Sequence, residues 1–169
     1  MRILVCAASR HGGTAEIARR LADALRREGA EVAVIRPEEV AGVSDYDAVV
    51  LGSGVYLGRW LPAARRMAAR FEEQLRRKPV WLFSSGPVGP KAAEPDPRPV
   101  NAERLIERTG AIEHQVFGGR IERARLSRPE RFVVARLHVP DGDDRDWARI
   151  ESWGRAIVEQ ANRIRADAR

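Results

Sequence analysis

The segment that most restricts the fold of this chain is its beginning. A continuous apolar run, Ile3-Leu4-Val5-Cys6, leads into Ala7-Ala8-Ser9-Arg10-His11-Gly12-Gly13-Thr14, and that into an amphipathic stretch ending at Arg27. A short apolar run without polar alternation is the pattern of a strand buried on both faces. From Thr14 onward, Ile17, Ala18, Leu21, Ala24 and Leu25 recur at helical spacing, Arg26 and Arg27 fall in the last turn, and Gly29 supplies a stop. A buried strand that turns at once into a helix with one apolar face is the first half of a right-handed β-α-β crossover. It points the chain toward a parallel α/β architecture.

The same alternation continues. Glu31 to Ile35 and Ala48-Val49-Val50-Leu51 read as the second and third strands, with a short connector from Pro37 to Val43 between them and Gly52-Ser53-Gly54 ending the third. Pro62 opens a helix with Leu61, Ala64, Ala68, Phe71 and Leu75 on one face and Arg65, Arg66, Arg70 and Arg76 on the other. Pro79 introduces the strand Val80-Trp81-Leu82-Phe83. The five prolines between Ser84 and Pro99 predict a surface loop. A short helix near Asn101 to Arg108 stops at Gly110, Ile112 to Phe117 forms the last strand, and Trp147, Ile150, Gly154, Ile157, Ala161 and Ile164 make the stripe of a final helix. These elements predict one domain over residues 1–169, built on a five-stranded parallel sheet covered on both faces. In such sheets ligands bind beyond the carboxyl ends of the strands, so the residues after Cys6, Leu51 and Phe83 are the candidate site.

Composition limits the function classes. The formal charge is +6, carried by arginines spread along the chain, with Lys78 and Lys91 as the only lysines. Positive charge attracts nucleic acids and anionic membranes alike. Aromatic residues are only 6% and form no basic-aromatic platform, so specific nucleic-acid binding is not expected. The single cysteine, Cys6, reads as a packed thiol and suits a reducing cytoplasm. No leader-like or membrane-spanning apolar run is found, which predicts a cytoplasmic protein. His114 falls in a strand and His138 in a basic segment, neither beside other residues at metal-ligand spacing, so no metal centre is expected.

The first loop carries the most specific chemistry. A helix start exposes unpaired N–H groups and the positive end of the dipole, where an anion can sit. Ser9 and Thr14 offer hydroxyls, Gly12 and Gly13 let the backbone approach closely, and no carboxylate stands in the loop, so a phosphate is the natural guest. Arg10 and His11 stand in the same loop; His11 reads either as a donor to the phosphate or as a solvated residue. The loop lacks the Gly-Lys-Ser/Thr of a Walker motif and the Gly-x-Gly-x-x-Gly of dinucleotide folds.

Ser9-x-x-Gly12-x-Thr14-x-x-x-Ala18-x-x-Leu21 resembles the flavodoxin phosphate signature, departing from it upstream, where Cys6 and Ala7 replace the usual larger residues. The resemblance implies a flavodoxin-like three-layer sandwich with strand order 2-1-3-4-5 and flavin mononucleotide (FMN) as cofactor. The second loop, Gly52 to Trp60, then supplies backbone amides for the flavin ring edge from Ser53, Gly54, Val55, Tyr56, Leu57 and Gly58, and Tyr56 for stacking. Trp60 is the alternative stacking residue, or else a hydrophobic staple to the following helix. The third, Ser84-Ser85-Gly86-Pro87-Val88-Gly89, resembles the segment that closes over the other side of the ring but contains no aromatic residue, which suggests one-sided stacking.

Within flavodoxin-like proteins the chain is most similar to the menaquinone-dependent protoporphyrinogen oxidase branch. Two segments carry the similarity: Gly52 to Gly58, with Tyr56 one position earlier than that family has it, and Gly118-Gly119-Arg120 through Ser127-Arg128-Pro129-Glu130-Arg131-Phe132 to Asp146-Trp147. The resemblance implies oxidation of protoporphyrinogen IX in haem synthesis, with electrons leaving through FMN to a quinone. A protein redox partner is the alternative acceptor, as in an electron-carrying flavodoxin, and a flavin-free interaction domain is a further alternative. Ser127 to Val139 mixes Phe132, Val133, Leu137 and Val139 with Arg128, Arg131 and Arg136, a pattern suited to peripheral contact with the inner face of an anionic membrane, to an acidic substrate, or to covering the sheet edge. The second and third loops contain no Asp or Glu, and Arg59 adjoins the expected ring site. A negatively charged reduced flavin is easier to form there, which predicts a higher potential and two-electron chemistry.

Overall fold

The computed structural model describes residues 1–86, 99, 101–136 and 141–167. Strands β1 (Arg2–Ala8), β2 (Glu31–Ile35), β3 (Ala48–Tyr56), β5 (Val80–Ser85) and β6 (Glu113–Phe117) form a parallel sheet in the order β2-β1-β3-β5-β6, the expected 2-1-3-4-5 order of the five parallel strands. A sixth, β4 (Arg59–Trp60), turns back antiparallel on the end of β3. Helices α1 (Gly13–Arg27) and α6 (Trp147–Asp167) cover one face. The other carries α2 (Pro62–Arg70), α3 (Glu72–Leu75) and α4 (Ala102–Thr109). Between β6 and α6 lie two short strands paired antiparallel, β7 (Arg120–Ile121) with β8 (Gly142–Asp143), and between these helix α5 (Arg128–Arg136).

The continuous apolar strands have a direct structural reason. Side chains alternate across a strand, so Ile3 and Val5 enter the core under α1 and α6 with Val50, Trp81 and Phe83, while Leu4 and Cys6 enter the core under α2 with Val49, Leu51 and Leu82. Burial pushes the Cys6 thiol well above its ordinary pKa, as expected of a packed, unreactive cysteine. Helices α1 and α6 cross where Gly154 faces Leu21 and Ala24: a Cβ at Gly154 would lie 2.9 Å from that of Ala24. Trp81 and Trp153 anchor the C-terminal helix further, their indole N–H groups donating to Gln160 at 2.8 Å and to Glu113 at 3.0 Å.

Several boundaries differ from expectation. The expected single helix after Pro62 is interrupted at Phe71 (φ −111°, ψ 18°), with Phe71 and Leu75 both buried. Strand β3 does not end at Leu51 but runs to Tyr56, so Ser53, Gly54, Val55 and Tyr56 stand on a strand, not in a loop. Gly52 is there because the Phe83 ring covers it; an added Cβ would lie 2.2 Å from that ring. Ser84 and Ser85 likewise belong to β5, held in register with Val116 and Phe117 of β6. Most of the expected proline-rich loop, including Pro87, Val88 and Gly89, lies outside the described residues, as do Leu137 to Val139. Among the described residues no helix is long and apolar enough to cross a membrane, and no group of His, Cys, Asp and Glu could hold a metal ion.

Candidate functional site

β1 ends at Ala8 beside Ser53 and β5 at Ser85 beside Gly54, while β3 between them runs on to Tyr56. The three predicted segments therefore meet at one edge of the sheet. Between β1 and α1, Gly12 adopts φ 87°, a left-handed conformation that favours glycine, and caps α1 without any side-chain hydrogen bond. Its carbonyl accepts the first helical bond, from Glu16 N–H at 3.0 Å. The first-turn N–H groups, lacking carbonyls one turn back, face the loop. Thr14 is buried and its hydroxyl lies against Gly54, where an added Cβ would come within 3.0 Å.

Tyr56 joins the second segment to the first. The Arg10 guanidinium lies 5.3 Å from the centre of its ring, and the His11 ring lies 6.1 Å away at an angle of 44°. Beyond Tyr56, the two-residue turn Leu57-Gly58 reverses the chain into β4, both residues having positive φ (48° and 72°). Leu57 is 85% exposed. The third segment leaves β5 at Gly86 (φ 117°), whose N–H donates to the Phe117 carbonyl at 3.0 Å and whose Cα faces Val55.

Trp60, the alternative stacking residue, is only 1% exposed. Its indole N–H donates to Ser84 Oγ at 2.7 Å, and Ser84 Oγ shares a 2.8 Å hydrogen bond with His114 Nε2. The Ser53 hydroxyl donates to the Gly54 carbonyl at 2.8 Å and accepts from Leu61 N–H at 2.9 Å. The side chains of Ser53, Ser84 and Trp60 thus build the floor of the site. The surface above it is left to Ser9, Arg10, His11, Gly12, Tyr56, Leu57 and Gly58.

Sequence reasoning missed a charged cluster behind the first loop. Glu16, one turn into α1, receives both Arg120 Nη groups at 2.9 and 3.2 Å and Arg145 Nη1 at 2.7 Å. Arg145 also donates from Nε to Asp143 at 2.6 Å, stacks its guanidinium 4.5 Å from the centre of the Trp147 indole, and has a side chain only 3% exposed. The hydrogen bond from Arg145 holds the Glu16 carboxyl below its ordinary pKa, with Arg120 adding to the effect. Arg145 lowers Asp143 in the same way, and Asp143 in turn raises Arg145. The one signal in the sequence was an arginine enclosed by aspartates, Asp143-Asp144-Arg145-Asp146, directly before a tryptophan.

A bound group is indicated by Ser9. Its Oγ is buried without a hydrogen-bond partner among the described residues. An unsatisfied buried hydroxyl costs about 1–3 kcal/mol, and an anion accepting from it at a helix start removes that cost. A hydroxyl donor, a left-handed glycine and free helix N–H groups together fit a phosphate.

A family model described as a flavodoxin domain matches residues 4–147. The chain belongs to that family. Flavodoxin 2 of Bacillus cereus has a similar structure, with a TM-score of 0.66 and 21% identity over 95% of this chain and 99% of that one. A flavodoxin from the domain Archaea gives a TM-score of 0.62 with 17% identity, covering 96% of this chain and 99% of the other. The fold also recurs in the rubredoxin oxygen:oxidoreductase of Desulfovibrio gigas, where 95% of this chain matches 36% of a longer protein with a TM-score of 0.62 and 16% identity. No curated protein matches the chain. FMN is the cofactor of flavodoxin domains, and the unsatisfied Ser9 hydroxyl is the feature of this one that accords with the phosphate end of FMN.

Proposed function

We propose that this flavodoxin domain binds FMN and serves as an oxidoreductase that takes electrons from an organic substrate and passes them to a redox partner. The observation that carries the reading is the buried Ser9 hydroxyl in the loop between β1 and α1, without a hydrogen-bond partner among the described residues. In this reading Ser9, Arg10, His11, Gly12, Gly13 and Thr14 hold the phosphate. Ser53, Gly54, Val55, Tyr56, Leu57 and Gly58 support the ring and its side chain from β3 and the turn beyond, and Ser84, Ser85 and Gly86 border the ring from the end of β5. When bound, FMN would supply the two-electron redox chemistry. The protein contributes binding and orientation: Tyr56 offers a flat ring, Arg10 lies over that ring in a cation–π contact, and the Trp60–Ser84–His114 hydrogen bonds tie the floor together.

The finer reading is dehydrogenation of protoporphyrinogen IX with a quinone as acceptor, at the cytoplasmic face of a membrane. It rests on the similarity of the Gly52–Gly58 and Gly118–Trp147 segments to that branch. Two structural features support it. Glu16, the carboxylate nearest the phosphate loop in sequence, is neutralised by two arginines, so little acidic charge opposes a reduced flavin. Helix α5 also presents Phe132, 72% exposed, between the exposed Arg128 and Arg136, as a helix resting on anionic lipid would.

The test is to purify the protein with added FMN and follow its spectrum anaerobically. Bleaching by protoporphyrinogen in one two-electron step, with recovery on adding menaquinone, is expected. A colourless protein that cannot take up FMN would refute the reading as a whole. Reduction in two well-separated steps, the second strongly negative, would instead make it an electron carrier, and direct consumption of NAD(P)H would make it a quinone reductase.

A further inference from the structure

The cluster around Arg145 lies behind the candidate phosphate loop, not in it, and its geometry ties that loop to a distant part of the chain. Arg145 Nη1 bonds Glu16 at 2.7 Å and approaches the Gly13 carbonyl at 3.4 Å, while its Nε bonds Asp143 on β8. Arg120, on the paired strand β7, grips the same Glu16 carboxylate bidentately and stands beside Gly13, where an added Cβ would lie 3.7 Å from its own. The region carrying these arginines is tightly closed. Asp144 N–H donates to the Gly119 carbonyl at 3.0 Å, and Gly118 packs so closely on Asp144 that a Cβ would fall 2.0 Å from its carbonyl oxygen. The first turn of α1 is therefore held from outside by two arginines, one on β7 and one just after β8.

Glu16 would otherwise harm the site. A carboxylate in the first turn of a helix competes with an anion for the same positive dipole and repels it. Paired with two guanidinium groups, it becomes the handle by which the turn is held.

We infer that Arg145 is a positioning residue for the phosphate of the proposed cofactor, holding Gly13 and Glu16 against the β7–β8 strand pair so that the first turn of α1 is set for an anion and the Glu16 charge is withheld from it. The inference rests on the proposed binding of FMN. It predicts an effect specific to the phosphate, because the cluster lies behind the loop and not at Tyr56, the expected ring contact.

The experiment measures binding of FMN and of riboflavin, which has the same ring without the phosphate, to the full-length apoprotein by quenching of flavin fluorescence. In Arg145→Met the Kd for FMN should rise about tenfold, the scale of one lost charge-assisted hydrogen bond, with the Kd for riboflavin unchanged. Hydrogen exchange over Ser9 to Glu16 in the ligand-free variant should also become faster. Asp143→Asn, altered at a side chain 42% exposed and therefore easily accommodated, should shift the FMN-to-riboflavin ratio in the same direction by a smaller factor and serves if Arg145→Met does not fold. An unchanged ratio in a folded variant overturns the inference. Failure of the wild-type protein to bind FMN at all would instead strike down the functional reading beneath it.

Discussion

The indole N–H of Trp60 donates to the Ser84 hydroxyl at 2.7 Å, joining β4 to β5 beneath the edge where the candidate site is formed. Tryptophan at that position serves the scaffold. Trp60→Phe should cost about 1–3 kcal/mol in denaturant unfolding, from a lost buried hydrogen bond and imperfect filling of the indole's space. The flavin spectrum of the reconstituted variant should match that of wild type. A large shift in that spectrum would show that Trp60 touches the ring.

Ser9→Ala should separate binding from folding. Its hydroxyl has no partner among the described residues, so its removal should leave the unfolding free energy of the apoprotein unchanged or slightly raised. FMN binding should weaken about tenfold while riboflavin binding stays constant. Isothermal titration alongside denaturant melts checks both, and a destabilised apoprotein would mean that the hydroxyl serves the fold.

Leu57 carries strain at the tip of the hairpin. A leucine at φ 48° sits in a region that costs an L-residue about 1–2 kcal/mol, and Asn-Gly is the pair this type of turn favours. Leu57→Asn should therefore stabilise the apoprotein by about 1 kcal/mol, read as a raised Tm. Because Leu57 is 85% exposed beside Tyr56, the same change should raise KM for an apolar electron donor if the side chain meets substrate. A Tm that does not rise would remove strain from the account.

Acid should loosen the Arg145 cluster in a defined window. The folded-state pKa values of Glu16 and Asp143 both lie below their ordinary values, principally because Arg145 hydrogen-bonds each. The unfolded chain then binds more protons than the folded one between the folded and unfolded values. The stability this contributes is complete above about pH 4.3 and is lost as pH falls through the lowered values. Tm measured from pH 7 downward should hold until about pH 4.5 and then decline, and the decline should be shallower in Arg145→Met. Identical slopes in the two proteins would count against the cluster as its source.

The fold was legible because its strands are buried on both faces, so Ile3 to Cys6, Ala48 to Leu51 and Val80 to Phe83 read as unbroken apolar runs whatever their neighbours. The edges were less legible. Gly52-Ser53-Gly54 has the composition of a turn, yet Gly52 accommodates the Phe83 ring and the Ser53 hydroxyl is satisfied by Leu61 N–H, so the strand continues to Tyr56. Two-residue strands such as β4, β7 and β8 have no periodicity to detect. The phosphate loop could be read because its parts are contiguous, whereas its support is not: no local pattern links Glu16 to Arg120 and Arg145.

That separation in the chain has a consequence during synthesis. Gly13 and Arg145 are 132 positions apart. At the usual pace of translation, about 5–20 residues per second, the loop emerges on the order of ten seconds before the arginine that braces it. If the brace is needed for tight binding, cofactor capture waits until Arg145 has emerged and folded back, and a nascent fragment holding only the glycine loop would leave the ribosome exit without its flavin.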